Sequence, residues 1–527
     1  MVINMKKALV GINAKYIHTN MAIRLLQKNT SYAVDVFEYT IKDDLSKIVN
    51  ELQTYDIIAF SCYIWNIELV KSIAKKLKDK IIILGGPEVS YNANYYIENK
   101  IAQYVIKNEG EEAFDLLLKH LEENIEINLV PNLYHKNGFT FDKYVDLDKI
   151  QMAYDLIDDY KNKIIYIETS RGCPYKCAYC MASLDNKVRF FNIEEVKKQL
   201  LILINKGGRV FKFLDRTFNA NKKYFIELID FIILNHKNNN SFQFEITGDL
   251  LDQAIIQYIN KVSPKNLFRF EIGIQSTNIN TNLLVNRIQN NEKLFNNIRL
   301  IQEGKKIDLH LDLIAGLPKE DYNSFMNTFN EVLSLRPLEL QLGFLKILHG
   351  TRLESMVDDY DYKYDCNPPY EIISNDSLST TDINNIHIVE DAFERYYNSG
   401  YLRRTMNLIL DEVDNYFLFF YNLGLKDKKN GLDGLFKVLD EYLNEININD
   451  YNKIYKSLII DYLSNFKIKP KAWWNKLEKK KANEVLRDYY TNNKKYNLDQ
   501  LYRYATVIET MDSYIIAIYM NNELEIL

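Results

Sequence analysis

Only five of the 527 residues are cysteine, nine are proline, eighteen are glycine and three are tryptophan. So few cysteines in so long a chain exclude a disulfide-built scaffold, and the low glycine and proline content excludes a collagen-like or low-complexity chain. No stretch of about 18 apolar residues runs uninterrupted, so no membrane-spanning helix and no membrane partner are expected. The apolar run at 8–12 is too short for a signal-peptide core, and a cytoplasmic location is expected. Basic excess is missing too. The 66 Lys and Arg stand against 71 Asp and Glu, a net charge of −5, which argues against a nucleic-acid partner. What is left is an ordinary globular composition, 47% hydrophobic and 26% charged, long enough for about three domains.

Residues 6–122 alternate short apolar runs with helical patterns, and five strands separated by helices predict a doubly wound parallel sheet. Ligands of such sheets sit beyond the carboxyl ends of the strands, which here carry Asn13, Ser61-Cys62-Tyr63, Gly85-Gly86-Pro87-Glu88 and Glu109-Gly110-Glu111. Gly85-Gly86 would let a ligand approach the backbone, or simply make a strand-to-helix turn. A connector with Pro131 and a Lys136-Asn137-Gly138 turn predicts a small hairpin and linker. A second alternating series then gives strands at 163–170, 209–215, 241–247, 267–275, 308–316 and 338–348, and six β/α units predict a partial (β/α)6 barrel of the TIM type. Beyond Pro368-Pro369 the spacing is helical, with one closing strand at 514–519. The expected division is 1–125, a linker over 126–162, a core over 163–355 and a mostly helical domain over 356–527.

Cys173, Cys177 and Cys180 follow the first strand of the second series directly. Three thiolates on one short loop can hold three corners of a cubane iron–sulfur cluster and leave the fourth iron open to a substrate. A structural zinc site with a distant fourth ligand, Cys366 or a histidine, is the alternative. Glu245 and Glu271 fall where acidic groups would reach the barrel mouth, as ligands for ribose hydroxyls or as partners of Lys and Arg. Cys62 reads as a hydrogen donor or as a small buried residue, and His310 and His349 as proton donors or as core and surface groups. Trp473-Trp474 reads as a substrate wall or as core.

The Cys-x3-Cys-x2-Cys segment resembles the signature of the radical S-adenosylmethionine (SAM) superfamily. Glu271-Ile272-Gly273-Ile274-Gln275-Ser276 and Asp312-Leu313-Ile314-Ala315-Gly316-Leu317-Pro318 look like its SAM-contacting strands. The second strand ends in Phe213-Leu214-Asp215-Arg216 where the family has Gly-Gly-Glu, a variant similar to that of cobalamin-dependent members. The N-terminal third, through Tyr-Asp-Ile-Ile-Ala-Phe-Ser, Ile-Ile-Leu-Gly-Gly-Pro-Glu-Val-Ser and Asn-Glu-Gly-Glu-Glu, resembles the cobalamin (B12)-binding domain that precedes this barrel, and the C-terminal region resembles the uncharacterised DUF4080-like extension of one branch. The resemblance implies a [4Fe-4S] cluster on the three cysteines. It implies SAM at Tyr179, Asp215, Glu245, Glu271, Gln275, Ser276 and Gly316, with Asp215 accepting from the SAM amino group. It implies cobalamin at Asn13, Tyr16, Ser61, Tyr63, Gly85, Gly86, Glu88 and Gly110. Asp-x-His-x-x-Gly is absent, so no histidine is expected on cobalt, His18 being the one placed to contradict this.

The activity so implied is reductive cleavage of SAM followed by methylation of an unactivated carbon. Rearrangement, cyclisation or oxidation is the alternative within the class, and a cobalamin- or metal-binding sensor module is the alternative outside it. A methylthiotransferase would need three further cysteines before the barrel, where only Cys62 stands. The expected partners are a small-molecule or peptide substrate and an electron donor such as flavodoxin or ferredoxin.

Overall fold

The first five strands are short because each carries only enough apolar residues to cross one sheet: Lys7–Asn13 (β1), Asp35–Thr40 (β2), Ile57–Ser61 (β3), Ile81–Gly85 (β4) and Tyr104–Ile106 (β5). Isoleucine, valine and leucine on both faces of β1, β3 and β4 bury them between helices, as a parallel sheet requires. The computed structural model describes residues 5–157, 159–428, 431–466, 470, 477–493, 495–520 and 523–527. Trp473 and Trp474 lie outside the described residues.

The chain forms two units, Met1–Asp321 with Gly343–Ser379, and Tyr322–Leu342 with Thr380–Leu527. In the first unit the leading sheet runs β2-β1-β3-β4-β5 with all neighbours parallel. The register sets Gly11 beside Ser61, Ser61 beside Gly85 and Gly85 beside Ile106, so the carboxyl ends finish level. The expected hairpin is present as Leu133–His135 (β6) and Gly138–Phe139 (β7), but it is no free linker. β6 pairs antiparallel with β5 and extends the first sheet to seven strands, past the boundary at 125 that the pattern suggested. A three-residue strand next to a turn carries too little pattern to announce its partner.

The second sheet begins with Ile164–Ile167 (β8), followed by a small antiparallel pair, Ser170–Arg171 (β9) and Arg189–Phe190 (β10). It continues through Val210–Phe213 (β11), Ser241–Ile246 (β12), Phe268–Gln275 (β13) and Asp308–Ala315 (β14), joined in that order by parallel pairing, and ends with Glu339–Phe344 (β15), of which Gly343 and Phe344 belong to this unit. The strands obey strict alternation. Phe242, Phe244, Phe268 and Phe270 are fully buried on one face, whereas Gln243, Glu245, Arg269 and Glu271 on the other are half-buried. Phe244 is the hub of the apolar face, 4.4 Å from the ring of Phe213 and 4.3 Å from that of Phe218. The polar face carries the chemistry.

The second unit is built from the helix Tyr322–Leu333 and those after Thr380, including Thr380–Phe393, Tyr416–Lys426, Leu432–Glu445 and Tyr451–Ser464, with Phe329 edge-on to Phe393 and Phe417. It closes on three antiparallel strands, Ala505–Glu509, Tyr514–Met520 and Glu523–Ile526, where the sequence pattern shows only the middle one. The outer two are shorter and carry charged ends. No described helix is long and apolar enough to cross a membrane.

Phe244→Ala should cost about 3–5 kcal/mol of stability, since a fully buried ring is lost from a cluster that cannot collapse around it. Urea unfolding of the pure protein measures this, and a loss below about 1 kcal/mol would contradict the packing described.

Candidate functional site

The loop after β8 is shaped by one glycine and one carboxylate. Gly172 has φ +87°, and a Cβ there would stand 2.5 Å from the Lys187 carbonyl oxygen, so the turn into Cys173 requires glycine. Asp215, buried at the end of β11, accepts from Thr169 Oγ1 at 2.6 Å, Ser170 Oγ at 2.5 Å and Thr169 N at 3.2 Å. These bonds give the carboxylate that the sequence suggested for SAM a role within the protein, and Oδ2 accepts only one of them. Asp215 clamps the start of the loop, and burial outweighs its hydrogen bonds and pushes its carboxyl up to about 6.

Further bonds hold the loop itself. Cys173 N donates to Asp185 O at 2.9 Å, Ala178 N to Val285 O at 2.8 Å, and Leu353 N to Ala178 O at 2.9 Å. Cys173 and Cys177 are buried and Cys180 is half-buried. Burial pushes the Cys180 thiol up against the opposing pull of the Arg216 charge. Arg287 lies 3.9 Å from Cys177 Sγ and 3.3 Å from Tyr179 Oη. Among the described residues no three His, Cys, Asp or Glu side chains converge on a single ion. A cubane takes each thiolate on a different iron, and three thiols on one short loop, two of them buried, fit that demand. Cys366 is exposed.

The polar face of the second sheet stands beside this loop. Glu245 and Glu271 are in register, and cations offset their mutual repulsion. Glu271 accepts from Lys212 Nζ at 3.1 Å and Gln243 Nε2 at 2.6 Å, and Arg216 lies 3.7 Å from Glu245. Burial drives both carboxyls up; at Glu245 it prevails, while at Glu271 Lys212, His310 and Gln243 bring the carboxyl below its usual range. Gln275 has φ +68°, and its Oε1 is buried without a hydrogen-bond partner. Two sequence candidates face elsewhere. Ser276 is fully buried and donates to Glu320 Oε1 at 2.5 Å. Gly316, φ +98°, is covered by Ile372, and its carbonyl accepts from Tyr362 and Asn375. His310 lies 3.0 Å from Asp312 and His349 2.8 Å from Glu354, so neither is a free proton donor. Arg287 and Lys212 were not singled out from the sequence; no local pattern marks either.

At the first sheet the strand order reverses between β1 and β3, which makes Asn13 and Ser61 the flanks of the crevice. Asn13 Nδ2 donates to His18 O at 3.2 Å, and Ser61 Oγ accepts from Asn20 Nδ2 at 2.7 Å. Tyr63 stacks on Trp65 at 4.4 Å with the indole half exposed, an aromatic platform at the carboxyl edge. A cavity of 230 Å³ opens beside β1 and β2, lined by Asn13, exposed Tyr16 and Lys163 among others, with the Lys163 ammonium 3.9 Å above the Tyr16 ring. At Gly86, φ +113°, a Cβ would stand 2.5 Å from Cys62 O, so the close approach is to protein backbone rather than to a ligand. Gly85 has only ordinary contacts, and Gly110 caps the helix Glu111–Glu123. Glu88 is buried, its Oε1 accepts from Tyr370 Oη, and burial pushes its carboxyl up. His18 Nδ1 pairs with Tyr166 Oη at 2.6 Å. Cys62 is fully buried, its thiol pushed up by desolvation, which suits a packing role.

Family models match three stretches of the chain: a B12 binding domain over residues 8–118, the radical SAM superfamily over 167–332, and a protein family of unknown function, DUF4080, over 358–517. The chain is a B12-binding radical SAM protein. Its cofactors are therefore a [4Fe-4S] cluster, SAM and cobalamin. Curated relatives of this radical SAM protein include an uncharacterized methyltransferase of Pyrococcus horikoshii, 29% identical over 204 residues that make 35% of this chain and 44% of that protein. Another is the 2-(S-pantetheinyl)-carbapenam-3-carboxylate methyltransferase of Streptantibioticus cattleyicolor, 20% identical over 328 residues, 55% of this chain and 46% of that one. The chain thus spans less than half the length of these two relatives. Solved structures with the same fold include the cobalamin-dependent S-adenosylmethionine radical enzyme OxsB, at TM-score 0.59 and 15% identity over 93% of this chain and 85% of that one. The radical S-adenosylmethionine methyltransferase TsrM from Kitasatospora setae follows at TM-score 0.57 and 14% identity, over 69% and 79%.

The Asp215 carboxyl, raised from 3.8 to about 6 in the folded state, binds a proton more tightly there than in the unfolded chain. Its ionisation therefore costs stability that grows as pH rises from about 4 to about 6, by up to about 3 kcal/mol. Asp215→Asn removes this cost. The stability of the wild type relative to D215N should fall across that window, and parallel pH profiles in chemical denaturation would contradict the burial of the charge.

Proposed function

We propose that this radical SAM protein is a methyltransferase that moves a methyl group to an unactivated carbon of a small-molecule or peptide substrate. The observation that carries the proposal is that the three-thiol loop and the carboxyl edge of the B12-binding sheet belong to one structural unit, joined through Arg171, Glu109 and Glu111. Cys173, Cys177 and Cys180 would hold the cluster, with the Arg287 guanidinium 3.9 Å from the Cys177 sulfur. Gln275 Oε1 and the paired carboxylates of Glu245 and Glu271 offer acceptors to SAM, and Tyr179, held by Arg287, forms a wall beside them. Asn13, Ser61, Tyr63, Gly85 and Gly110 frame the edge on which cobalamin would lie, and Tyr16 and Lys163 its flanking cavity. When bound, these groups supply the electron for SAM cleavage and the methyl carrier; the protein's part is orientation and exclusion of water. An external electron carrier such as flavodoxin or ferredoxin would feed the cluster, in a cytoplasmic setting that suits exposed Cys366 and an oxygen-sensitive centre.

A triple Cys173→Ala, Cys177→Ala, Cys180→Ala variant should retain cobalamin but lose labile sulfide and SAM cleavage altogether. Cleavage by the triple variant would overturn the cluster assignment. With SAM labelled in its methyl group and a small-molecule extract as the source of substrate, the reduced protein should release S-adenosylhomocysteine together with 5′-deoxyadenosine and a labelled product. Formation of 5′-deoxyadenosine without label transfer would instead favour rearrangement, cyclisation or oxidation.

A further inference from the structure

The turn after β5 does more than face the crevice. Arg171, two residues before Cys173, pairs with both oxygens of Glu168 through Nε and Nη2, each at 3.0 Å, and reaches Glu109 at 3.1 Å and Glu111 at 2.5 Å. From the facing strand β10, Arg189 holds Glu109 at 2.7 Å and Asp185 at 3.1 Å, and Asp185 O accepts from Cys173 N at 2.9 Å. Cys173 is thereby flanked, before it in the chain by Arg171 and across the hairpin by Asp185 and Arg189, with groups tied to the first sheet. The side chains of Arg171, Arg189, Glu109 and Glu111 are 11%, 12%, 12% and 6% exposed, so the tie is shielded from water and salt.

Apolar residues of the same volume would anchor a loop at least as firmly as these charges. What two guanidiniums among carboxylates add is direction, because a planar fork donates to its partners in one plane and at fixed spacing. The carboxylates come from the B12-binding domain and the first guanidinium from the cluster loop, and neither has another use in the site. We propose that Arg171 is a positioning residue that sets the cluster loop against the carboxyl edge of the B12-binding sheet, through Glu109 and Glu111, and so fixes the separation of cluster and cobalamin. This rests on the cofactor assignment above.

The test is magnetic rather than catalytic. Holoprotein, with iron and cobalt quantified, is brought to a state in which cob(II)alamin and the reduced cluster are both paramagnetic, and the microwave power that half-saturates the cob(II)alamin signal is compared with that for the oxidised, diamagnetic cluster. In the wild type the reduced cluster should raise this power several-fold. Arg171→Met should lose most of that rise while keeping both metals. Arg171→Lys, with the charge but not the fork, should lose much of it too. Should R171M fail to fold, the isosteric Glu109→Gln and Glu111→Gln carry the same expectation. Variants with the full wild-type rise overturn the proposal and leave the functional reading standing. A wild-type protein that binds no cobalamin or no cluster overturns that reading, and the proposal with it.

Discussion

Two parallel sheets can serve one reaction only if their carboxyl edges are held to each other, and here the hold is made of buried charge. Removing each of these ions from water costs several kcal/mol, which is regained only where every polar atom finds a partner. Arg171 engages all three of its nitrogens, and Glu109 uses Oε1 for Arg171 and Arg189 and Oε2 for Val145 N and Arg189, while Arg189 Nε is buried without a partner. Loss of Arg171 takes from Glu111 its guanidinium partner and leaves Glu109 with Arg189 and Val145 N alone, where breaking a buried ion pair costs about 3–5 kcal/mol. A second buried group works from below. Asp215 gathers Thr169 and Ser170, so the chain entering Cys173 is fixed on two sides by protein alone. A site whose frame is set before its cofactors arrive loses less entropy in binding and positioning them.

Much of the fold was legible because its signals are local. Strand-long apolar runs interrupted by helical spacing located every parallel strand to within a few residues, and Glu245 and Glu271 were placed by their strands on the face that proves polar. What escaped depends on partners distant in the chain. The hairpin Leu133–Phe139 gives no sign that β5 is its neighbour, and Ala505–Glu509 becomes a strand only against Tyr514–Met520.

The same division runs through the site. Cys173, Cys177 and Cys180 announce themselves by spacing, since one short loop must deliver three ligands. Asp215, Ser276, Gly316 and Glu88 also stand at strand ends, where a polar or small residue reads as a ligand contact. Within the protein they meet Thr169 and Ser170, Glu320, Ile372 and Tyr370, and only the folded chain brings those within reach. The converse holds for Gln275, whose open acceptor is visible only once every neighbour has been assigned. Glycine shows the ambiguity most sharply. Gly86 and Gly172 are needed because backbone passes close by, Cys62 in one case and Lys187 in the other, so a glycine in a crevice can record the protein's own packing rather than its ligand.

Metal and sulfide content of the anaerobically reconstituted protein, supplied with hydroxocobalamin and then desalted, tests most directly that one chain carries both an open iron–sulfur cluster and cobalamin. About four iron, about four labile sulfide and about one cobalt per chain are expected. Zinc at about one per chain with no labile sulfide, or a protein that emerges free of cobalt, would contradict it.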